Sequence, residues 1–182
     1  MNNNMDDKYR ANKIIPFIEG LNILDLGGGD TTVHHLLKRK FNTIKCIDLE
    51  SGIDLNYPLK YKSNQDTIIN MELIEHLDSP IDFIRNCKKL LKINGKLIIT
   101  TPNAGLQYIV NPSWQVFTKH NKYDGHKYLF TPPMLIYILK KEGFKILHTE
   151  YINTFWNNPL AKIICKFIPR LRSDILIVGE KI

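Results

Sequence analysis

No apolar run in this chain approaches the ~20 residues that a membrane span requires. Segments such as Leu97-Ile98-Ile99 and Ile175-Leu176-Ile177-Val178 are far too short, so a soluble protein is expected. The amino end, Met1-Asn2-Asn3-Asn4-Met5-Asp6-Asp7, lacks the basic-then-apolar layout of a signal peptide, and a cytoplasmic location follows as the expectation. Cysteine is scarce: Cys46, Cys87 and Cys165 are odd in number, far apart and without metal-finger spacing. That excludes a disulfide framework and suits packed or idle thiols in a reducing compartment. Acidic residues are the minority charge, 18 against 25 Lys and Arg, leaving a net charge of +7. The excess is a mild bias toward phosphates, anionic lipid or RNA. Hydrophobic residues at 43% and charged residues at 24% are ordinary globular usage, which excludes disorder. Low complexity is confined to the Asn triplet, and 182 residues suit a single domain over 1–182.

What is present begins with Ile23-Leu24-Asp25-Leu26-Gly27-Gly28-Gly29, an apolar strand running into a glycine turn, with Asp48 ending the next strand. Glycine lets a backbone take positive φ and approach a ligand closely, and the helix that follows offers free N–H groups and a positive dipole end. Asp48 is placed to accept hydrogen bonds from both hydroxyls of a ribose. A dinucleotide fold wants a third glycine where Thr32 stands, which argues against an NAD-linked oxidoreductase.

Periodicity places a leading helix over 7–18, a strand over 21–26, a helix over 31–40 with Val33, Leu36 and Leu37 inward, and a strand over 43–48. His34 and His35 on that helix read as surface residues. Residues 49–62 leave no room for a second crossover helix. A strand over 66–71, a turn or short helix over 72–76, and a helix from Ser79-Pro80 to Leu90-Leu91 follow, with Asn94-Gly95 ending that helix before a strand over 96–101. Residues 103–130 carry Trp114 and further aromatics with little periodicity and read as a lid or acceptor-binding element. A helix from Thr131-Pro132-Pro133 to Lys141 and strands over 144–152 and 174–179 complete the pattern. Between those strands, residues 159–171 place Leu160, Ile163, Ile164, Phe167, Ile168 and Leu171 at helical spacing, with Lys162, Lys166, Arg170 and Arg172 on other faces. Such a helix covers the sheet, the preferred reading, or lies on a membrane surface as a peripheral contact.

In order and spacing, the glycine segment through Asp30, Asp48, Asp66-Thr67-Ile68-Ile69, Glu72-Leu73-Ile74-Glu75-His76-Leu77, the Leu90–Gly95 stretch before Leu97–Asn103, and Phe130-Thr131-Pro132 resemble class I S-adenosylmethionine-dependent methyltransferases. Within that class the chain looks most like the group that contains the ubiquinone-biosynthesis O-methyltransferases. The resemblance implies a Rossmann-like α/β fold, a doubly wound sheet that is mostly parallel with an antiparallel last strand, shortened here between the second and third strands. It also implies that Gly27, Gly28 and Gly29 lie against the methionine part of the cofactor, with Asp25 bracing the loop, and that Asp48 holds the ribose. Leu49 would flank the adenine, Asp54 or the backbone of Leu55 would meet its amino group, and Met71 would line the site near the sulfonium. The family's third motif glycine is Thr31 here.

Glu72, Glu75 and His76 stand at i, i+3 and i+4, which on a helix share one face. Carboxylate and imidazole donors suit Mg²⁺, Mn²⁺, Fe²⁺ or Zn²⁺, and His126 is a candidate fourth ligand. This set is similar to the metal site of small-RNA 2′-O-methyltransferases, and its first three residues to that of the ubiquinone-pathway enzymes. A bound ion would lower the pKa of an acceptor alcohol; without one, His76 or His126 is the candidate general base. The expected function is methyl transfer to a hydroxyl of a small-molecule or carbohydrate-like acceptor. Trp114, Phe117, Tyr123 and Tyr128 would shape the acceptor pocket. An RNA 2′-O-methyltransferase and a cofactor-binding protein without turnover are the competing readings.

Overall fold

The computed structural model describes residues 3–106, 125–153 and 159–182. Six strands form one sheet: β1 (Ile23–Leu26), β2 (Ile44–Ile47), β3 (Gln65–Met71), β4 (Leu91–Pro102), β5 (Phe144–Ile152) and β6 (Asp174–Lys181). Their order across the sheet is β2-β1-β3-β4-β6-β5. β1 to β4 pair in parallel, and β6 runs antiparallel to both β4 and β5. The last strand of the chain is therefore the reversed one, inserted between its two predecessors. β1 is buried along its whole length, β3 and β6 nearly so, and β4 from Gly95 to Thr101 apart from the half-buried Lys96, the pattern of strands covered on both faces.

On one face α1 (Asn3–Ile14) and α2 (Thr32–Lys40) bury Ala11, Ile14, Val33 and Leu37 against Ile23, Ile44, Ile69, Ile98, Leu176 and Val178. On the other, α3 (Pro80–Leu90) and α4 (Pro132–Lys141) bury Phe83, Ile84, Leu135 and Leu139 against Leu24, Ile68, Leu97, Ile99 and Ile177. A fifth helix, α5 (Pro159–Phe167), joins β5 to β6. No helix among the described residues is long and apolar enough to cross a membrane.

Residues 48–64 hold neither helix nor strand, as their length predicts, and Leu55 pins this connection into the core. Asn94-Gly95 departs from expectation. α3 stops at Leu90, β4 starts at once, and Asn94 takes φ 63° inside the strand. Gln65 pairs with Leu91 and Thr67 with Lys96, so the turn dipeptide serves a bulge and not a helix end.

All parallel strands end at one edge, and there the chain leaves in loops: Gly27 after β1, Asp48 after β2, Glu72 after β3 and Asn103 after β4. In an open α/β sheet this is where ligands bind.

Candidate active site at the carboxyl edge of the sheet

The turn after β1 is built by three glycines with separate steric reasons. Gly27 has φ 81°, and a Cβ there would fall 2.8 Å from Leu73 Cδ2. A Cβ on Gly28 would fall 2.2 Å from Asp25 Oδ2, and Gly29 has φ 48°. The Gly27 N–H donates to Ile47 O at 2.8 Å, tying the turn to the end of β2. Thr31 sits in extended conformation at φ −90°, so no glycine is required, and its side chain caps α2 by accepting from the His34 N–H. The departure from the family's third glycine thus supplies an N-cap.

Asp48 meets this turn from β2. Its Oδ1 accepts the Ser51 N–H at 2.7 Å, and its Oδ2 accepts the Cys46 thiol at 3.4 Å. The Ser51 backbone bond, with help from Cys46 and the Gly29 N–H, holds this carboxyl below the ordinary range. A Cβ on Gly29 would stand 3.5 Å from Asp48 Oδ2. Turn and carboxylate therefore frame one cradle that stays clear because glycine lines it, a fit for a ribose-bearing ligand. Burial pushes the neighbouring Cys46 thiol up to about 12, which keeps it un-ionised.

Beneath the turn lies Asp25, fully buried, with Oδ2 2.7 Å from His34 Nδ1. Burial raises the Asp25 pKa and the imidazole opposes the rise. The expectation that His34 is a surface residue is corrected: α2 turns Val33, His34 and Leu37 inward. His35 does lie on the surface, beside Asp30 at 2.6 Å. Of the remaining cofactor candidates, Leu49 is exposed, and Asp54 Oδ1 accepts the Asn56 N–H at 2.9 Å. Leu55 buries its side chain in the core, leaving only its backbone for a ligand. Met71 is half-buried at the end of β3.

The acidic segment after β3 does not form the continuous helical face its spacing suggested. Glu72 takes φ 50°, and the 3-10 turn covers Ile74–His76 only. Glu72 Oε1 instead lies 3.8 Å from Arg10 Nε of α1. Arg10 also reaches Asp174 Oδ2 at 2.9 Å and Asp7 Oδ1 at 3.2 Å, and Asn153 Nδ2 donates to Asp174 Oδ2. Burial raises the Glu72 pKa and Asp174 adds to the rise, while Arg10 opposes it. Sequence reasoning missed Arg10, Asp174 and His34, because each finds its partner through tertiary packing and not through spacing along one element.

Glu75, His76 and His126 do converge, with one ligand atom from each lying within 4.8 Å of the others. Glu75 Oε2 accepts from Thr101 Oγ1 at 2.8 Å, its Oε1 has no hydrogen-bond partner among the described residues, and its backbone carbonyl accepts the Lys127 and Tyr128 N–H groups. Those backbone bonds bring His126 to His76, ring centroids 4.4 Å apart at 79°. A Cβ on Gly125 would approach His76 Nδ1 to 3.2 Å, so glycine lets the chain pass the ring. Burial pushes Glu75 up to about 7. Burial and the neighbouring His76 pull His126 down to about 4. A neutral imidazole and an oxygen lacking a partner are donors suited to a divalent cation, and the donor set is one carboxylate and two imidazoles. Tyr128 donates its hydroxyl to Asp78 O at 2.8 Å and stacks at 6.1 Å on Phe130. Trp114, Phe117 and Tyr123 lie outside the described residues.

The chain is 30% identical over 113 residues to a ubiquinone biosynthesis O-methyltransferase of Caulobacter vibrioides, covering 50% of this chain and 44% of the relative. It is 26% identical over 154 residues to one from Cereibacter sphaeroides, covering 71% and 62%. It thus spans less than two thirds of the length of either. Among solved structures, an S-adenosylmethionine-dependent methyltransferase from Mesorhizobium loti superposes with a TM-score of 0.66 at 14% identity, covering 94% of this chain and 96% of that one. A counterpart from Listeria monocytogenes also gives 0.66 at 14% identity, covering 98% and 99%. These structural matches establish the fold. The family model for the methyltransferase domain matches residues 4–149, so the chain belongs to that family.

Proposed function

We propose that this domain methylates a hydroxyl of a small-molecule or carbohydrate-like acceptor. The observation that carries the reading is the meeting, at one edge of the sheet, of the glycine cradle with Asp48 and the Glu75, His76 and His126 group. When bound, S-adenosylmethionine supplies a methyl group activated by a sulfonium. Gly27, Gly28 and Gly29 would take its methionine part and Asp48 its ribose. Leu49, Asp54, the backbone of Leu55 and Met71 would line the rest of the cofactor site.

A divalent ion held by Glu75, His76 and His126 would supply Lewis acidity toward the acceptor hydroxyl. The residues fit that role with one change from the expected set: Glu72 is turned to Arg10 and leaves three donors. His126 is unprotonated at neutral pH, and its low basicity suits a ligand better than a general base. The remaining contribution of the chain is orientation, holding acceptor oxygen and methyl carbon in line.

The test has two arms. Calorimetry with S-adenosylhomocysteine is expected to give saturable binding that Asp48→Ala removes; absence of binding at millimolar ligand sinks the reading. Transfer of labelled methyl to a panel of hydroxyl acceptors, with RNA as a comparison and with Mg²⁺, Mn²⁺, Fe²⁺ or Zn²⁺ added singly, then reports acceptor class and ion dependence. Preferential labelling of RNA 2′-hydroxyls would replace the small acceptor with a polynucleotide.

A further inference from the structure

The helix between the last two strands does not cover the sheet with its apolar side. Ile163, Ile164, Phe167 and Ile168 are 54%, 43%, 79% and 40% exposed, whereas Cys165 is buried. At about 100° per residue, the four exposed side chains span an arc of roughly 140°, and Cys165 lies outside it. Over Ile163–Ile168 the apolar stripe that the sequence predicts faces outward.

This face is fixed and not a loosely attached segment. The Arg172 guanidinium donates to Cys165 O at 3.4 Å, Tyr151 O at 3.3 Å and Tyr9 Oη at 3.1 Å. Asn103 Nδ2 donates to Arg170 O and Arg172 O, both at 2.8 Å, and the Asn103 N–H donates to Ser173 O at 2.7 Å. The helix and its following turn, Pro169–Leu171, are thereby clamped to α1, β5 and the end of β4. A rigid platform presents a phenylalanine and three isoleucines to the outside. Lys166 and Arg170 are exposed beside it, and no acidic residue occurs between Glu150 and Asp174.

We propose that α5 docks the domain on an anionic lipid surface, with Ile163, Ile164, Phe167 and Ile168 entering the acyl boundary and Lys166 and Arg170 at the headgroups. The charge pattern selects this occupant. An apolar arc with Lys166 and Arg170 exposed beside it, in a segment whose sequence carries no acidic residue, matches a layer with hydrocarbon below and negative headgroups above. Asn103 ties the same platform to the edge of the sheet that carries the candidate active site, so docking would hold that edge near the bilayer.

Co-sedimentation is expected to carry the chain with vesicles of equal parts phosphatidylcholine and phosphatidylglycerol, and to leave it in the supernatant with phosphatidylcholine alone. Phe167→Asp should lower the partition coefficient on the order of tenfold or more. The pair Lys166→Glu and Arg170→Glu should lower it by roughly fivefold per cation and flatten its salt dependence. Circular dichroism melts matching the unsubstituted chain check that both variants fold. Failure to bind anionic vesicles at low ionic strength overturns the proposal, as does equal binding to neutral ones or wild-type binding by Phe167→Asp. A Phe167-dependent dimer in sedimentation velocity without vesicle binding also overturns it, giving the face to a second copy.

Discussion

His34 Nδ1 lies 2.7 Å from Asp25 Oδ2, and both side chains are buried under the glycine turn. A carboxylate in that position has lost its water, and its Oδ1 has no hydrogen-bond partner among the described residues, so the imidazole is its one described side-chain donor. His34→Ala is expected to destabilise the domain by about 1–3 kcal/mol, the cost of orphaning a buried acceptor. His34→Asn, whose amide can still donate, should recover part of the loss. Urea unfolding of the three proteins measures the difference, and equal stability would show that Asp25 does not need the imidazole.

Gly28 depends on the same pair. Because His34 holds Asp25 in place, the carboxylate cannot swing away from a Cβ that would fall 2.2 Å from Oδ2. Gly28→Ala should therefore distort the cradle, at an overpacking cost of about 1–3 kcal/mol, and weaken S-adenosylhomocysteine by about tenfold or more. In the double variant Gly28→Ala, Asp25→Ala the clash disappears. Calorimetry should then find tighter binding than in Gly28→Ala alone if sterics cause the defect.

Asp48 sets a pH signature. Its pKa is lowered in the fold, so its contribution is present above the unfolded value of about 3.9 and is lost as pH falls through the lower folded value. Affinity for S-adenosylhomocysteine is expected to stay flat from neutral pH down to about pH 5 and to fall only below the ordinary carboxylate range. Asp48→Asn should bind about ten- to a hundredfold more weakly, as loss of a charge-assisted hydrogen bond requires, and show no such fall. A midpoint between pH 5 and 7 would assign the titration to another group.

Arg10 carries the docking of α1. Its guanidinium is largely buried and shared among Asp7, Glu72 and Asp174. Burial opposes its charge, and the carboxylates of Glu72 and Asp174 more than restore it. Removing it strands the buried Asp174 and the half-buried Glu72, and Arg10→Ala should cost about 3–5 kcal/mol in chemical unfolding. Arg10→Met, which keeps packing but not charge, should lose nearly as much, separating the ionic role from bulk.

Most strands were legible because they are β-branched or aliphatic runs bounded by glycine, proline or asparagine, as in Leu21–Leu26 and Lys96–Thr101. The glycine turn with Asp48 was legible because both lie at fixed offsets from strand ends. What escaped depends on distance in space. Arg10 and Glu72 are far apart in sequence, and His34 reads as polar until Asp25 is seen beneath it. Glu72 fails the helical i, i+3, i+4 pattern because its own φ of 50° breaks the helix before it starts. The outward stripe of α5 has the periodicity of a core helix, and only its setting reverses the reading.

That local break separates two acids that the sequence treats as equivalent. Glu75 shares its surroundings with His76 and His126, whereas Glu72 is turned toward Arg10. Substitutions at the two acids should therefore act unequally. Glu75→Gln and His126→Ala are expected to weaken divalent-ion binding by at least about tenfold, and Glu72→Gln to leave it nearly unchanged while lowering stability through the Arg10 network. Titration with Co²⁺, followed by its absorption bands, measures binding independently of turnover. Equal losses from Glu72→Gln and Glu75→Gln would return Glu72 to the ligand set and require the segment after β3 to rearrange around the ion.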